Sequence, residues 1–119
     1  MRVILCLLVA LNVTSAMAQS ADSLFIVTYT TGSSWDVSKQ PNEQPYFKEH
    51  SATLSKLRKD GIIKAGARYA DKGMIILTAR TSAIAKEIIF NDIAVVNNLF
   101  HADVQKLNVF YEGCVERPK

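Results

Sequence analysis

Four segments of the chain have the residue pattern of β-strands. Residues 24–31 are β-branched and aromatic and run into Gly32, and residues 62–69 and 73–79 form two strand-like runs joined by a tight connection. Residues 102–111 alternate apolar and polar side chains, as a strand with one buried face does. The pattern therefore predicts two strands at the ends of the domain and a hairpin between them.

Two other segments have helical spacing. Apolar side chains recur every three or four residues between about 45 and 60, and Gly61 follows as a helix-closing residue. A second apolar stripe begins after the N-cap residues Thr81 and Ser82 and ends near residue 92. A short irregular stretch is expected over residues 93–101. The element order is β-α-β-β-α-β, which predicts an α+β domain of ferredoxin-like topology.

The first and third predicted strands are apolar on both sides. Phe25 and Val27 alternate with Leu24 and Ile26 in the first strand, and the third has the same character. Because two helices cover only one face of a four-stranded sheet, a monomer would expose a large apolar patch on the other face. We therefore expect a homodimer in which two sheets pack together across a two-fold axis.

The N-terminus has the layout of a secretory signal peptide. Arg2 precedes an apolar run over residues 3–11, and small residues stand at Ala16 and Ala18. The apolar run is shorter than the roughly 20 residues that a membrane-spanning helix needs, although an N-terminal anchor is the alternative interpretation. The sequence thus predicts cleavage after Ala18, one domain over residues 19–119, a periplasmic or secreted location and no membrane attachment after cleavage.

Composition narrows the class of protein. The 119 residues are 49% hydrophobic and 21% charged, which fits one globular domain and no disordered chain. The net charge is +3, but the basic residues are scattered singly among acidic ones, and no basic stripe exists that could follow a nucleic-acid backbone. Only Cys114 remains after cleavage, as a buried thiol, a free thiol or half of an intermolecular disulfide.

His50 is the first candidate for chemistry. It lies on the same helical stripe as Phe47, Leu54 and Leu57, turned toward the sheet. Asp92, just past the second helix, could reach His50 and fix its tautomer, which would make the imidazole a general base. The alternative is a hydrogen-bonded histidine of the core.

Three further residues are candidates for shaping a pocket around His50. These are Trp35 in the long loop, Arg68 on the second strand and Phe100 before the last strand. Arg68 could instead face solvent, Asp36 could cover the pocket or only form a turn, and His101 is expected on the surface. Neither a metal-ligand cluster nor a nucleotide-binding or nucleophile motif occurs, so we expect no metal and no cofactor.

The order of several short motifs resembles that of a known family. They are His50-Ser51-Ala52-Thr53-Leu54 through Leu57 and Gly61, then Ile63-Lys64-Ala65-Gly66, Gly73, Thr81-Ser82 and Asp92. The chain is similar over about residues 24–111 to exported members of the YCII-related family, in the dimeric α+β barrel superfamily. The resemblance implies a ferredoxin-like protomer, a homodimer, and a cleft whose proposed catalytic histidine and aspartate correspond to His50 and Asp92. An arginine common before that histidine is absent here, and Ile93 replaces a common proline.

These observations lead to two expectations from different classes of protein. The first is an exported, cofactor-independent enzyme of lyase, isomerase or dehalogenase-like type, in which His50 moves a proton on a small cyclic or aromatic substrate and Asp92 orients it. The second is a non-catalytic homodimer that binds a small apolar molecule in the same cleft. A purely structural role for His50 is the third interpretation.

Overall fold

The computed structural model describes residues 22–119, and the predicted signal peptide lies outside them. The elements are β1 (Ser23–Thr31), α1 (Phe47–Lys59), β2 (Ile63–Tyr69), β3 (Lys72–Ala79), α2 (Ser82–Phe90), α3 (Ile93–Val96) and β4 (Phe100–Leu107). A 3-10 turn, Pro41–Glu43, lies in the loop before α1. The predicted α+β class is confirmed.

The four strands form one antiparallel sheet. Its order is β2-β3-β1-β4, which is compatible with a ferredoxin-like fold. The two strands that are apolar on both sides, β1 and β3, hold the central positions, where each has a neighbour along both edges. Strands β2 and β4 are the outer ones, and the shorter runs of apolar side chains in β2 and β4 fit edge positions.

The core lies between one face of the sheet and the helices. Because side chains alternate along a strand, Phe25, Val27 and Tyr29 of β1 point to the same face, and all three are buried. Ile89 of α2 and Leu77 of β3 are among the fully buried side chains that meet them. The candidate site lies on the same face of the sheet, near the carboxyl end of β1 and beyond the tightly packed part of the core.

The helix ends follow the sequence signals. Just past the end of α1, Gly61 has a φ of 75°, a left-handed conformation that glycine adopts without strain. Its N–H donates to the carbonyl of Arg58, in the last turn of the helix. At the start of α2 the Thr81 hydroxyl accepts from the Ile84 N–H at 3.2 Å. Both predicted end signals are confirmed.

The C-terminal part of the domain differs from the sequence-based expectation. Strand β4 ends at Leu107, which pairs with Leu24 near the beginning of β1, and within residues 22–119 no strand pairs with the residues that follow. Phe110 and Tyr111, expected in the strand, are almost fully exposed. No helix in residues 22–119 is long and apolar enough to cross a membrane.

The long loop after β1 is fixed to the segment before β4. The N–H of Gly32 donates to the Leu99 carbonyl at 2.8 Å, and the N–H of Ser34 donates to the Asn98 carbonyl at 3.0 Å. A Cβ atom on Gly32 would lie 2.1 Å from that Asn98 oxygen, so the two backbones approach closely only because residue 32 has no side chain. This contact places Trp35, which follows Ser34, beside Phe100 at the beginning of β4.

Candidate functional site

A cavity of about 540 Å³ lies on the helix-facing side of the sheet, between α1, the β2–β3 hairpin and the loop after β1. Four of the residues that the sequence singled out, His50, Trp35, Arg68 and Phe100, line it together. Asp92 does not line the cavity and is buried behind His50. The five predicted site residues therefore lie at or directly behind one pocket, while their roles in binding and catalysis remain predictions.

The imidazole of His50 and the carboxylate of Asp92 are in direct contact. Nδ1 of His50 lies 2.5 Å from Oδ2 of Asp92, and the two residues are only 7% and 4% exposed. The other carboxylate oxygen, Oδ1, accepts from the N–H of Ala94 at 2.9 Å. Asp92 thereby caps α3, a helix that the sequence did not predict, and α3 in turn fixes the position of the carboxylate.

This contact determines which ring nitrogen is available to a ligand. A neutral imidazole that meets a carboxylate at Nδ1 carries its proton there, because the carboxylate can only accept. The lone pair is then on Nε2, and His50 is part of the cavity wall. The arrangement can accept a proton from a bound molecule while the adjacent carboxylate stabilises the imidazolium that forms.

Aromatic rings make up the wall around His50. Phe100 is their centre, with its ring centroid 4.9 Å from that of His50, 5.7 Å from that of Trp35 and 6.3 Å from that of Phe47. Rings at these separations pack edge to face or tilted and leave flat apolar surfaces toward the cavity. Such a wall suits a flat, largely apolar ligand.

A buried glutamine holds the loop that carries Trp35. Gln44 is 4% exposed; its Oε1 accepts from the Asp36 N–H at 3.0 Å, and its Nε2 donates to the Asp36 carbonyl at 2.6 Å. The Asp36 side chain turns back to Ser38, whose hydroxyl and N–H lower the pKa of the Asp36 carboxyl. Asp36 is thus a turn residue and no part of the cavity wall. Gln44 escaped the sequence analysis because no residue pattern marks a buried amide.

Tyr29 is the functional candidate that sequence analysis missed. Its ring meets the His50 ring edge to face at 5.3 Å, and it lines the cavity. Within residues 22–119 its buried hydroxyl has no hydrogen-bond partner, and burial together with the negative charge of Asp92 raises the pKa of that hydroxyl. The alternation of β1 was the available signal, because it places Tyr29 on the face of Phe25 and Val27.

Tyr29→Phe is expected to stabilise the fold by about 1 kcal/mol, because the buried hydroxyl loses water without gaining a hydrogen bond. The difference in stability should grow above pH about 10. There the Tyr29 phenol ionises in the unfolded wild-type chain but stays neutral in the folded protein, because its pKa is raised. The wild type therefore loses stability at alkaline pH through this group, and the variant does not. Urea unfolding at neutral and alkaline pH measures both effects. Tyr69→Phe, at a half-exposed ring, is the control, and a destabilised Tyr29→Phe protein would show that the hydroxyl is bonded.

Among residues 22–119 no group of three or more histidine, cysteine or acidic side chains is placed to hold a metal ion. His101 is exposed on β4 and Cys114 is exposed in the C-terminal segment.

No family model and no curated protein sequence matches this chain. The function of the cavity is therefore inferred from its own geometry.

Proposed function

We propose that this protein is an exported member of the YCII-related family and a cofactor-independent enzyme of lyase, isomerase or dehalogenase-like type. Its substrate is a small cyclic or aromatic compound bound in the cavity beside His50. The observation that carries the proposal is the buried contact of Asp92 with His50, whose ring forms part of the wall of an aromatic cavity. A histidine of the core alone would have no need of an adjoining space of this size.

The proton transfer follows from the orientation of the imidazole. Nε2 of His50 takes a proton from a carbon of the substrate, and the electrons of that C–H bond move into an adjacent carbonyl or ring π-system. The imidazolium, stabilised by the Asp92 carboxylate, then returns the proton to another carbon or to a departing group. Return to carbon is an isomerisation, and departure of a halide or another anion is an elimination. Neither outcome needs an oxidant or a cofactor.

The sheet face opposite the helices supports the proposed homodimer. Leu24, Ile26, Met74 and Ile76 point away from the helix side, by the alternation of β1 and β3, and all four are only half-buried. A second copy packed sheet against sheet would remove these side chains from water. The antiparallel order of the strands is compatible with the protomer of a dimeric α+β barrel.

The second candidate is a binding protein that leaves its ligand unchanged. The aromatic wall centred on Phe100 favours it, because contacts of Trp35, Phe47 and Tyr29 with Phe100 provide apolar binding surface whether or not His50 accepts a proton. In that case Asp92 only holds the His50 ring in place. The two candidates differ in whether a bound compound is converted.

The test begins with a thermal-shift screen of residues 19–119 against phenols, lactones and haloaromatic compounds. Each stabilising compound is then incubated with the wild type and with His50→Gln, and products are followed by NMR. We expect the wild type to convert at least one compound and the variant to be at least about 100-fold slower while remaining folded. Glu49→Gln, one residue earlier on an exposed position of α1, is the matched control. Conversion by His50→Gln at the wild-type rate would refute the mechanism, and binding without conversion by the wild type would favour the binding protein.

A further inference from the structure

Arg68 lies in the same row of the sheet as Tyr29, with one glycine between them. Arg68 pairs with Gly73 across β2 and β3, and Gly73 pairs with Tyr29 across β3 and β1. Residues paired in this way point to the same face, and two strand spacings separate Arg68 from Tyr29 by about 10 Å. Because Gly73 has no side chain, the space above it is open, and all three residues line the cavity.

One positive charge in the cavity wall has no ion-pair partner among residues 22–119. The charged residues that line the cavity are Arg68, Asp71 and Lys72. Lys72 and Asp71 form an ion pair at 2.9 Å and neutralise each other. Arg68 contacts no carboxylate within residues 22–119. The rim opposite the aromatic wall therefore has an excess positive charge, which favours a ligand with a negative one.

The guanidinium of Arg68 indicates which negatively charged group the ligand carries. A guanidinium presents two parallel N–H donors to a planar carboxylate, and a single guanidinium balances its single charge. The gap over Gly73 has room for one ring, with one side toward Arg68 and the other toward Tyr29 and the His50 ring that packs on it. We propose that Arg68 binds the carboxylate of a cyclic or aromatic carboxylic acid whose opposite side lies against His50. This inference rests on the proposed function for the identity of the cavity as the ligand site.

The experiment compares carboxylates with their uncharged amides. Benzoate, benzamide, cyclohexanecarboxylate and cyclohexanecarboxamide are titrated into wild-type protein, and dissociation constants are taken from NMR chemical-shift changes. We expect the carboxylates to bind more tightly than the amides, and Arg68→Gln to weaken carboxylate binding by roughly tenfold or more with little change for the amides. Arg68→Lys should bind with intermediate affinity, because it keeps the charge and loses the paired donors.

Arg80→Gln is the matched control, since it removes the same charge from an exposed residue outside the cavity. Three results would overturn the inference: equal binding of carboxylates and amides, wild-type carboxylate affinity in Arg68→Gln, or no carboxylate binding at millimolar concentration. Any of these can occur while a neutral ring compound is still converted in a His50-dependent way. The failure of this inference is therefore distinguishable from the failure of the proposed function.

Discussion

Asp92→Asn is expected to slow turnover by a factor of about 100 to 10,000 while the protein remains folded. The Asn carbonyl can still accept from the Ala94 N–H, so the cap of α3 is kept. The Asn amide group then faces Nδ1 of His50 and donates to it, which moves the ring proton to Nε2. A histidine protonated at Nε2 has no lone pair toward the cavity, and the base is lost.

The tautomer can be measured without a known substrate. Nitrogen-15 chemical shifts of the His50 ring should report a proton on Nδ1 in the wild type and on Nε2 in Asp92→Asn. Asp103→Asn, at an exposed position of β4, is the control and should leave the His50 signals unchanged. An unchanged tautomer in a folded Asp92→Asn protein would mean that Asp92 does not orient the imidazole.

Gly32→Ala is expected to lower the free energy of unfolding by about 3 kcal/mol, the largest effect on stability that we predict for a single added methyl group. The new Cβ would lie 2.1 Å from the Asn98 carbonyl oxygen, and a backbone atom cannot rotate away as a long side chain can. The Asn98 oxygen also accepts from the Ser34 N–H, so its displacement would loosen the loop that holds Trp35.

Denaturant unfolding of Gly32→Ala beside Gly113→Ala measures this effect. Among residues 22–119 no atom lies within 4 Å of the position that a Cβ on Gly113 would take, so Gly113 should tolerate the change. If the loop moves as expected, a ligand that changes the fluorescence of Trp35 in the wild type should no longer change it in Gly32→Ala. A Gly32→Ala protein as stable as the wild type would show that the two segments can separate without cost.

The pattern of apolar residues was sufficient to predict the main helices and strands, because this pattern follows from which side of each element is buried. The alternation in β1 and the stripe that carries His50 both record which side faces the core. The end of β4 could not be read in the same way, since residues after Leu107 continue the alternation. The strand stops there because Leu107 pairs with Leu24, and only Ser23 of β1 lies beyond that pair, which depends on register rather than on local sequence.

The site was predictable only in part for a similar reason. His50, Asp92, Trp35, Arg68 and Phe100 are residue types that draw attention in a sequence, and the structure brings them to one place. Tyr29 and Gln44 did not stand out, because a tyrosine in an apolar strand and a glutamine in a loop are ordinary there. Their importance comes from contacts with residues distant in the chain, which one sequence without its fold does not contain.

Two glycines in the floor of the cavity allow the size of its ligands to change during evolution. At Gly73 a Cβ would meet Tyr29 at 3.9 Å, and at Gly66, also in the cavity lining, the nearest atom would be 3.6 Å away, so both positions accept a small side chain at ordinary contact distance. A glycine codon becomes an alanine or valine codon by one base change. Descendants of this chain can therefore narrow the cavity to smaller molecules by single mutations that leave the sheet, and the pair of His50 and Asp92, in place.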